Sequence, residues 1–321
     1  MRAVFFGSPE AAIPSLAALL GAGHAVDLVV TQPDRPSGRG RRLTASPVKR
    51  FALERSIPVL QPERIRKDPA AFESIRDVRA DIHVVVAYGQ IIPVSIIDIP
   101  KHRSINVHFS LLPEYRGAGP VQWALLNGIT RTGVTIFRLN EKMDEGDILS
   151  LVETGIRPAE NAGELEERLA RLGADLLLDT LARIDTIIPI AQNHEKATLA
   201  PKIGKEDGII DWTVEAARVD RLVRAFTPRP SAFALFKKQR LIILRGTALA
   251  GPKNEGAPGV VAAVGREGID VRCGDGALFR VQRLQPENRG AMDAFAFSQN
   301  GRVRPGDVFI GKRSDDHSSS R

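Results

Sequence analysis

Ala80-Asp81-Ile82-His83-Val84-Val85-Val86-Ala87-Tyr88-Gly89 runs from an acidic start to a glycine through a nearly continuous apolar stretch. A half-buried strand alternates apolar and polar side chains, whereas a strand covered on both faces does not. The run therefore reads as a central strand of a layered sheet. Upstream, "RAVFFG" (residues 2–7) and "AVDLVVTQ" (25–32) have the same texture. "SPEAAIPSLAALLGAG" reads as a turn and a helix closed by glycine, and "VKRFALERS" and "PAAFESIRDV" as further helices. Strands alternating with helices predict an α/β domain with a Rossmann-like, largely parallel sheet. The first strand leads into Gly7-Ser8-Pro9-Glu10, and no G-x-G-x-x-G or G-x-x-x-x-G-K-[ST] loop occurs. Neither a dinucleotide nor a nucleoside triphosphate is signalled.

"TGVTIFRL" and "ILSLVETGI" read as two more strands joined by "NEKMDEGD", and "AGELEERLARLGADLLLDTLARI" as a long amphipathic helix. The expected first domain spans residues 1–188. The polar, weakly periodic stretch 189–207, "PIAQNHEKATLAPKIGKED", reads as a linker. Beyond it, the helix "VEAARVDRLVRAF" and short glycine-punctuated strands predict a smaller, OB-like β-barrel over 208–311, followed by a disordered tail at 312–321.

With 43% hydrophobic and 26% charged residues among 321, the chain is a folded protein of about two domains. No apolar run reaches the ~18 residues of a membrane span, and the opening "MRAVFFGSPE" turns polar too soon for a secretory signal. A cytoplasmic location is expected. The single cysteine, Cys273, and the lack of a ligand-spaced His/Cys cluster argue against a disulfide or a metal centre. Residues 1–201 carry 24 basic and 24 acidic side chains, while 202–321 carry 21 and 14, so the whole net charge of +7 lies in the C-terminal third. That asymmetry fits a neutral catalytic half joined to one that meets a polyanion.

Ser104-Ile105-Asn106-Val107-His108 places an amide and an imidazole two residues apart. In a strand they project together while Ile105, Val107 and Phe109 face the other way. The loop that follows, "SLLPEYRGAGP", combines stiffening prolines with glycines that permit turns, as binding loops often do. A carboxylate from "MDEGD" can reach His108 if the two strands neighbour each other, and Asp144, Glu145 and Asp147 compete for that role. An amide, a histidine and a carboxylate suit attack by a neutral amine on an activated carbonyl. The amide donates to the developing oxyanion, the imidazole moves a proton, and the carboxylate stabilises its charged form.

"INVHFSLLPEYRGAGPVQWALLNGITRTGVTIFRLNEKMDEGDIL", with "VVVAYGQIIP" before it, resembles the signature of the folate-dependent formyltransferases. The resemblance implies Asn106, His108 and Asp144 as catalytic residues and 10-formyltetrahydrofolate as the formyl donor. It further implies Ala87, Tyr88 and Gly89 around the pterin and the loop from Ser110, Leu111, Leu112 and Pro113 to Pro120 at the folate site. Phe109 stands where the family usually has proline or glycine.

The stretch "TQPDRPSGRGRRLTASPVK" holds Arg35, Arg39, Arg41 and Arg42, with Asp34 as the lone opposing charge, and reads as a flexible basic loop suited to phosphates. It is similar to the insertion that members of the family acting on charged initiator tRNA place over the acceptor end. "DGIIDW" and "RAFTPRPSAF" resemble the tRNA-binding barrel of the same members. The partner implied is initiator methionyl-tRNA, for a protein expected to be a monomer. A formyltransferase of sugar nucleotides or other small amines would keep the three catalytic residues but has no use for the arginine loop. A non-catalytic RNA-binding protein would not need the three residues intact.

Overall fold

The computed structural model describes residues 1–37, 42–250 and 255–312. In chain order the elements up to residue 201 are β1 (Arg2–Gly7), α1 (Ile13–Gly21), β2 (Ala25–Val30), β3 (Arg35–Ser37), β4 (Arg42–Thr44), α2 (Pro47–Leu53), β5 (Val59–Leu60), α3 (Pro69–Asp77), β6 (Ile82–Val86), α4 (Val94–Ile97), β7 (Ser104–His108), α5 (Pro120–Leu126), β8 (Arg131–Arg138), β9 (Ile148–Gly155) and α6 (Ala162–Ala182). The chain divides into two compact units. One comprises residues 1–120, 130–156 and 166–201, and the other 121–129, 157–165 and 202–321.

The first unit is built on a seven-stranded sheet in the order β5-β2-β1-β6-β7-β8-β9. The five strands from β5 to β7 are parallel, and β8 and β9 complete the sheet antiparallel. Every residue of β6 is buried, as its unbroken apolar run implies. Val4 and Phe6 of β1 and Leu28 and Val30 of β2 form one core with Ile65, Ile75, Ile96 and Ile97. On the other face α6 comes close to the sheet at Gly173, where a Cβ would stand 2.9 Å from Val107 and 3.2 Å from Val134. Phe109, the residue that departs from the family pattern, is buried, with its ring edge 3.7 Å from that same Cβ position.

Helix starts follow local chemistry. Ser46 and Asp68 accept hydrogen bonds from the amides of Lys49 (3.0 Å) and Ala71 (3.0 Å), each ahead of a proline in the first turn. Asn161 and Glu164 cap α6 reciprocally, both at 3.0 Å. The stretch 189–201 has no sequence period because it forms single bridges rather than a strand. Ile190 exchanges two 2.8 Å hydrogen bonds with Ile148, and Ala200 donates to the Arg116 carbonyl at 2.7 Å.

The second unit adds α7 (Ala216–Ala225), β10 (Ala232–Phe236), β11 (Gln239–Leu249), β12 (Val261–Gly265), β13 (Gly268–Arg272), β14 (Leu278–Pro286), β15 (Met292–Asp293), α8 (Ala294–Ser298) and β16 (Phe309–Ile310). Its strands pair antiparallel in the order β12-β13-β14-β11-β10-β16, with β15 on β14. The sheet curls until its ends meet. Val261 donates to Asp307 and Phe309 to Gly259, both at 2.8 Å. Aromatic side chains fill the interior, with Trp212 tilted against Phe279 and edge-on to Phe309, and Phe236 edge-on to Phe297 and Phe309. Cys273 is buried here, and burial pushes its thiol up to about 12. Apart from Lys312, the tail expected at 312–321 lies outside the described residues. Among the described residues no helix is long and apolar enough to cross a membrane.

His83, the one polar side chain of β6, is fully buried beside Phe6, and its Nδ1 lies 3.2 Å from the Ser104 hydroxyl. Ser104 donates its own proton to the Ile97 carbonyl, so Nδ1 is the donating nitrogen. Burial pushes the imidazole down to about 3, so the folded state holds it neutral. The stability this contributes is complete above the unfolded value near 6.5 and is lost as pH falls towards 3. As pH falls below 6.5 the cost of the imidazole should steepen towards about 1.4 kcal/mol per pH unit. Urea denaturation over that range should show a steeper pH slope for the wild type than for His83→Gln, and equal slopes would remove His83 from the acid response.

Candidate active site

Strand alternation puts Asn106 and His108 on one face of β7, where they lie opposite Phe137 and Thr135 of β8. The imidazole of His108 is 6% exposed and meets the Phe137 ring edge-on at 6.3 Å. Its Nε2 donates to the main-chain carbonyl of Tyr115 at 3.0 Å. A carbonyl only accepts, so this bond assigns the proton of the neutral ring to Nε2 and leaves the Nδ1 lone pair open. Nδ1 faces Asp144 Oδ2 at 3.8 Å. A proton arriving at Nδ1 would therefore find a carboxylate before it. Asn106 Oδ1 is buried and has no partner within the chain.

Of the three carboxylates in "MDEGD", Asp144 alone faces the imidazole. Glu145 turns to Arg116, 3.3 Å from Nη1, and to Lys142, while Asp147 is exposed. Asp144 Oδ2 accepts from the Gly117 amide at 2.8 Å, and the residue itself holds φ +54°. The loop after β7 is fastened along its length. Thr135 donates to the Ser110 carbonyl at 2.7 Å and accepts from the Leu112 amide at 3.1 Å, and the Ser110 hydroxyl donates to the Glu114 carbonyl. Leu112 packs with Phe137 and Ile148, whereas Leu111 and Pro113 are half-buried. From the other side Thr198 Oγ1 and its carbonyl accept from the amides of Tyr115 (2.8 Å) and Arg116 (2.9 Å). Tyr115 lies in the loop expected at the site, but its part, played through the main chain, was not legible, and Gln192 and Thr198 come from a stretch without periodicity.

The sheet order reverses between β1 and β6, and crevices at such reversals are where parallel sheets bind ligands. Ser8, Gln32 and Tyr88 tie the strand ends together there. Ser8 Oγ and Gln32 Nε2 both donate to the Tyr88 carbonyl, at 3.3 and 3.1 Å. Ala87 and Gly89 are exposed at positive φ, while the Tyr88 ring is buried edge-on to Phe6 with its hydroxyl unpartnered in the chain. This segment thus exposes its main chain and small residues, while Tyr88 is anchored in the core.

The basic loop is more regular than its composition implies, since β3 and β4 pair antiparallel, Arg35 opposite Thr44 and Ser37 opposite Arg42. Arg35 is exposed; Arg39 and Arg41 lie outside the described residues. Asp34 has partners of its own outside the arginine cluster. Its carboxylate takes hydrogen bonds from Lys49 and Gln61, both 2.8 Å, which hold it below the usual carboxylate range. Among the described residues no three His, Cys, Asp or Glu side chains are grouped to hold a metal ion.

A Rossmann-like sheet carrying an amide and a histidine at the end of β7 and a carboxylate in the turn between β8 and β9, followed in the chain by an antiparallel barrel, defines a two-domain transferase architecture. A family model described as formyl transferase matches residues 1–181, and one described as formyl transferase, C-terminal domain, matches 202–301. The methionyl-tRNA formyltransferase of Geobacter sulfurreducens is 44% identical over 308 residues, covering 95% of this chain and 96% of that protein. That of Solibacter usitatus is 47% identical over 305 residues, covering 94% and 96%. The chain therefore belongs to the formyl transferase family. Among solved structures, the N-formyltransferase from Helicobacter canadensis superposes with a TM-score of 0.63 at 18% identity, covering 88% of this chain and 98% of that one. HypX from Aquifex aeolicus gives 0.65 at 17% over 93% of this chain and 47% of that one. At these identities the likeness is one of fold.

Gly117 is where the loop meets both the 189–201 stretch and Asp144. It holds φ +123°, and a Cβ there would stand 2.6 Å from the Ala200 carbonyl oxygen. Gly117→Ala should cost on the order of 1–3 kcal/mol. An unchanged urea midpoint would show that the loop relaxes without strain.

Proposed function

We propose that the chain transfers a formyl group from 10-formyltetrahydrofolate to the α-amino group of methionyl-initiator tRNA. The observation that carries the acceptor is the reach of the similarity. Relatives bearing that activity in their names match over 94–95% of the chain, through the C-terminal unit as well as the sheet. The excess of basic side chains beyond residue 201 supplies the charge a tRNA backbone requires. HypX has been solved with tetrahydrofolic acid and the Helicobacter canadensis enzyme with folinic acid. The folate assignment here rests on the signature residues. The exposed main chain of 87–89 suits a polar, flat heterocycle, and the unpartnered Asn106 Oδ1 offers an acceptor to the N–H of an incoming amine.

The donor supplies the formyl carbon and, at N10, the nitrogen that leaves. Asn106 donates an amide N–H to the formyl oxygen as negative charge builds on it during attack by the neutral amine. His108 takes the amine's proton at Nδ1, the nitrogen left free by the Tyr115 carbonyl, and returns it to the leaving nitrogen as the old C–N bond breaks. Asp144 holds the imidazolium in that interval, 3.8 Å away. Arg35, Arg39, Arg41 and Arg42 receive the acceptor end of the tRNA and keep the 3′ amine over the formyl carbon. A misplacement of ~1 Å in such a step can cost ~10²-fold.

Formyl transfer should be rapid to methionyl-tRNA and negligible to a sugar nucleotide or to glycinamide ribonucleotide; preference for a small acceptor would overturn the tRNA assignment. Asn106→Ala and His108→Ala should each slow single-turnover formylation by about 10²–10³-fold, with folate and tRNA binding preserved. Asp144→Asn should show a larger defect than Asp147→Asn, and the reverse order would move the carboxylate's role to residue 147. Arg39→Ala should impair formylation of charged tRNA far more than folate binding. Parallel losses in both measurements would assign the arginine loop to the folate site.

A further inference from the structure

Behind Asp144 lies a buried polar network that the reaction as described does not use. Arg116, 4% exposed, directs Nε and Nη2 at Gln192 Oε1, at 3.1 and 2.7 Å. Its Nη1 is 3.3 Å from Glu145, and Nη2 is also 3.2 Å from His194 Nδ1. Gln192, 5% exposed, donates through Nε2 to the carbonyls of Asp144 (2.9 Å) and Gly146 (2.7 Å). The orientation of this amide is unambiguous. Its oxygen meets only guanidinium donors and its nitrogen only carbonyl acceptors, and a flip would set like against like at all four contacts.

These bonds close a ring around the carboxylate. Asp144 is held by its side chain to the Gly117 amide and by its own carbonyl to Gln192. Gly117 follows Arg116 in the chain, and Arg116 grips the same Gln192. Asp144 needs holding because its φ of +54° is a conformation that a non-glycine residue adopts only when its surroundings impose it. The same turn passes so close to the end of β8 that a Cβ on Gly146 would overlap the Arg138 carbonyl oxygen, and only glycine fits there. Gln192 reaches the turn because Ile190, two residues earlier, is fixed to Ile148 by paired main-chain bonds.

We infer that Gln192, clamped by Arg116, is a positioning residue for formyl transfer: its two hydrogen bonds to the 144–146 turn hold the Asp144 carboxylate in register with His108 Nδ1. The inference rests on the reading of Asp144 as the partner of His108. It places the device in the stretch joining the two family-matched segments, far in sequence from the signature.

The test is a double-mutant cycle on the full-length protein, with single-turnover formylation of methionyl-tRNA as readout. Gln192→Met keeps the length of the side chain and removes all four hydrogen bonds. It should lower the rate on the order of 10²-fold, the scale of a ~1 Å misplacement, and leave KM for tRNA and folate within about twofold. In an Asp144→Asn background the same substitution should cost less than about threefold more, because there is no longer a carboxylate to aim. A purely structural role would lower the rate equally in both backgrounds, and that result overturns the inference. If Gln192→Met does not fold, Gln192→Asn, shorter by one methylene, is put through the same cycle with the same expected loss of additivity. A slow Asp144→Asn beside a wild-type Gln192→Met overturns the brace alone, whereas a wild-type Asp144→Asn overturns the reading of the site and the brace with it.

Discussion

The hydrogen bond from His108 Nε2 to the Tyr115 carbonyl is the contact on which the site depends. It fixes which ring nitrogen is free, and so where a proton can be accepted and which group must face it. For the bond to form, the loop after β7 has to bring its own main chain back over the strand it has just left. Everything fastened to that loop serves this return. Thr135 holds its beginning, Thr198 holds the amides of Tyr115 and Arg116, and Gly117 permits a close pass against Ala200. Tyr115 has a positive φ, as Asp144 does, so the two residues flanking the imidazole are both held in uncommon backbone conformations.

The α/β order, the central strand and the shared face of Asn106 and His108 were legible because each follows from a short-range period. The unbroken run of β6 implied burial on both faces, and the two-residue spacing in β7 implied a common face. Spacing alone left Asp144, Glu145 and Asp147 open, and only the family resemblance pointed to Asp144, since which of three carboxylates within four residues faces the imidazole depends on what lies around the turn. Arg116 removes Glu145 by pairing with it, and Asp147 points to solvent. Nor did the stretch 189–201 announce a role. Its bridges are single and its key side chain, Gln192, bonds to carbonyls, which leave no trace in the residue types they come from.

The arginine-rich hairpin illustrates a limit of counting charges. Composition places Asp34 among four arginines as their counter-ion. In the fold, Lys49 and Gln61 occupy its carboxylate, so it anchors the base of the hairpin while Arg35 stays exposed. An acidic residue in a basic segment has in this case a structural task, tying the segment to Lys49 and Gln61. The barrel shows the converse. Its glycine-punctuated strands predicted a curled sheet, and the pairing of 259–261 with 306–309 brings the ends of that sheet together.

Cys273 has a practical consequence. The chain has a single thiol, and that thiol is buried in the second unit with its ionisation pushed up to about 12. Reagents that trap thiols react with the thiolate, which at neutral pH is scarce here as well as enclosed. A cysteine introduced on the exposed surface of either unit would therefore be modified selectively, with no need to remove the native one. A fluorophore or spin label attached at such a cysteine would then report on its chosen position alone, without a background signal from Cys273.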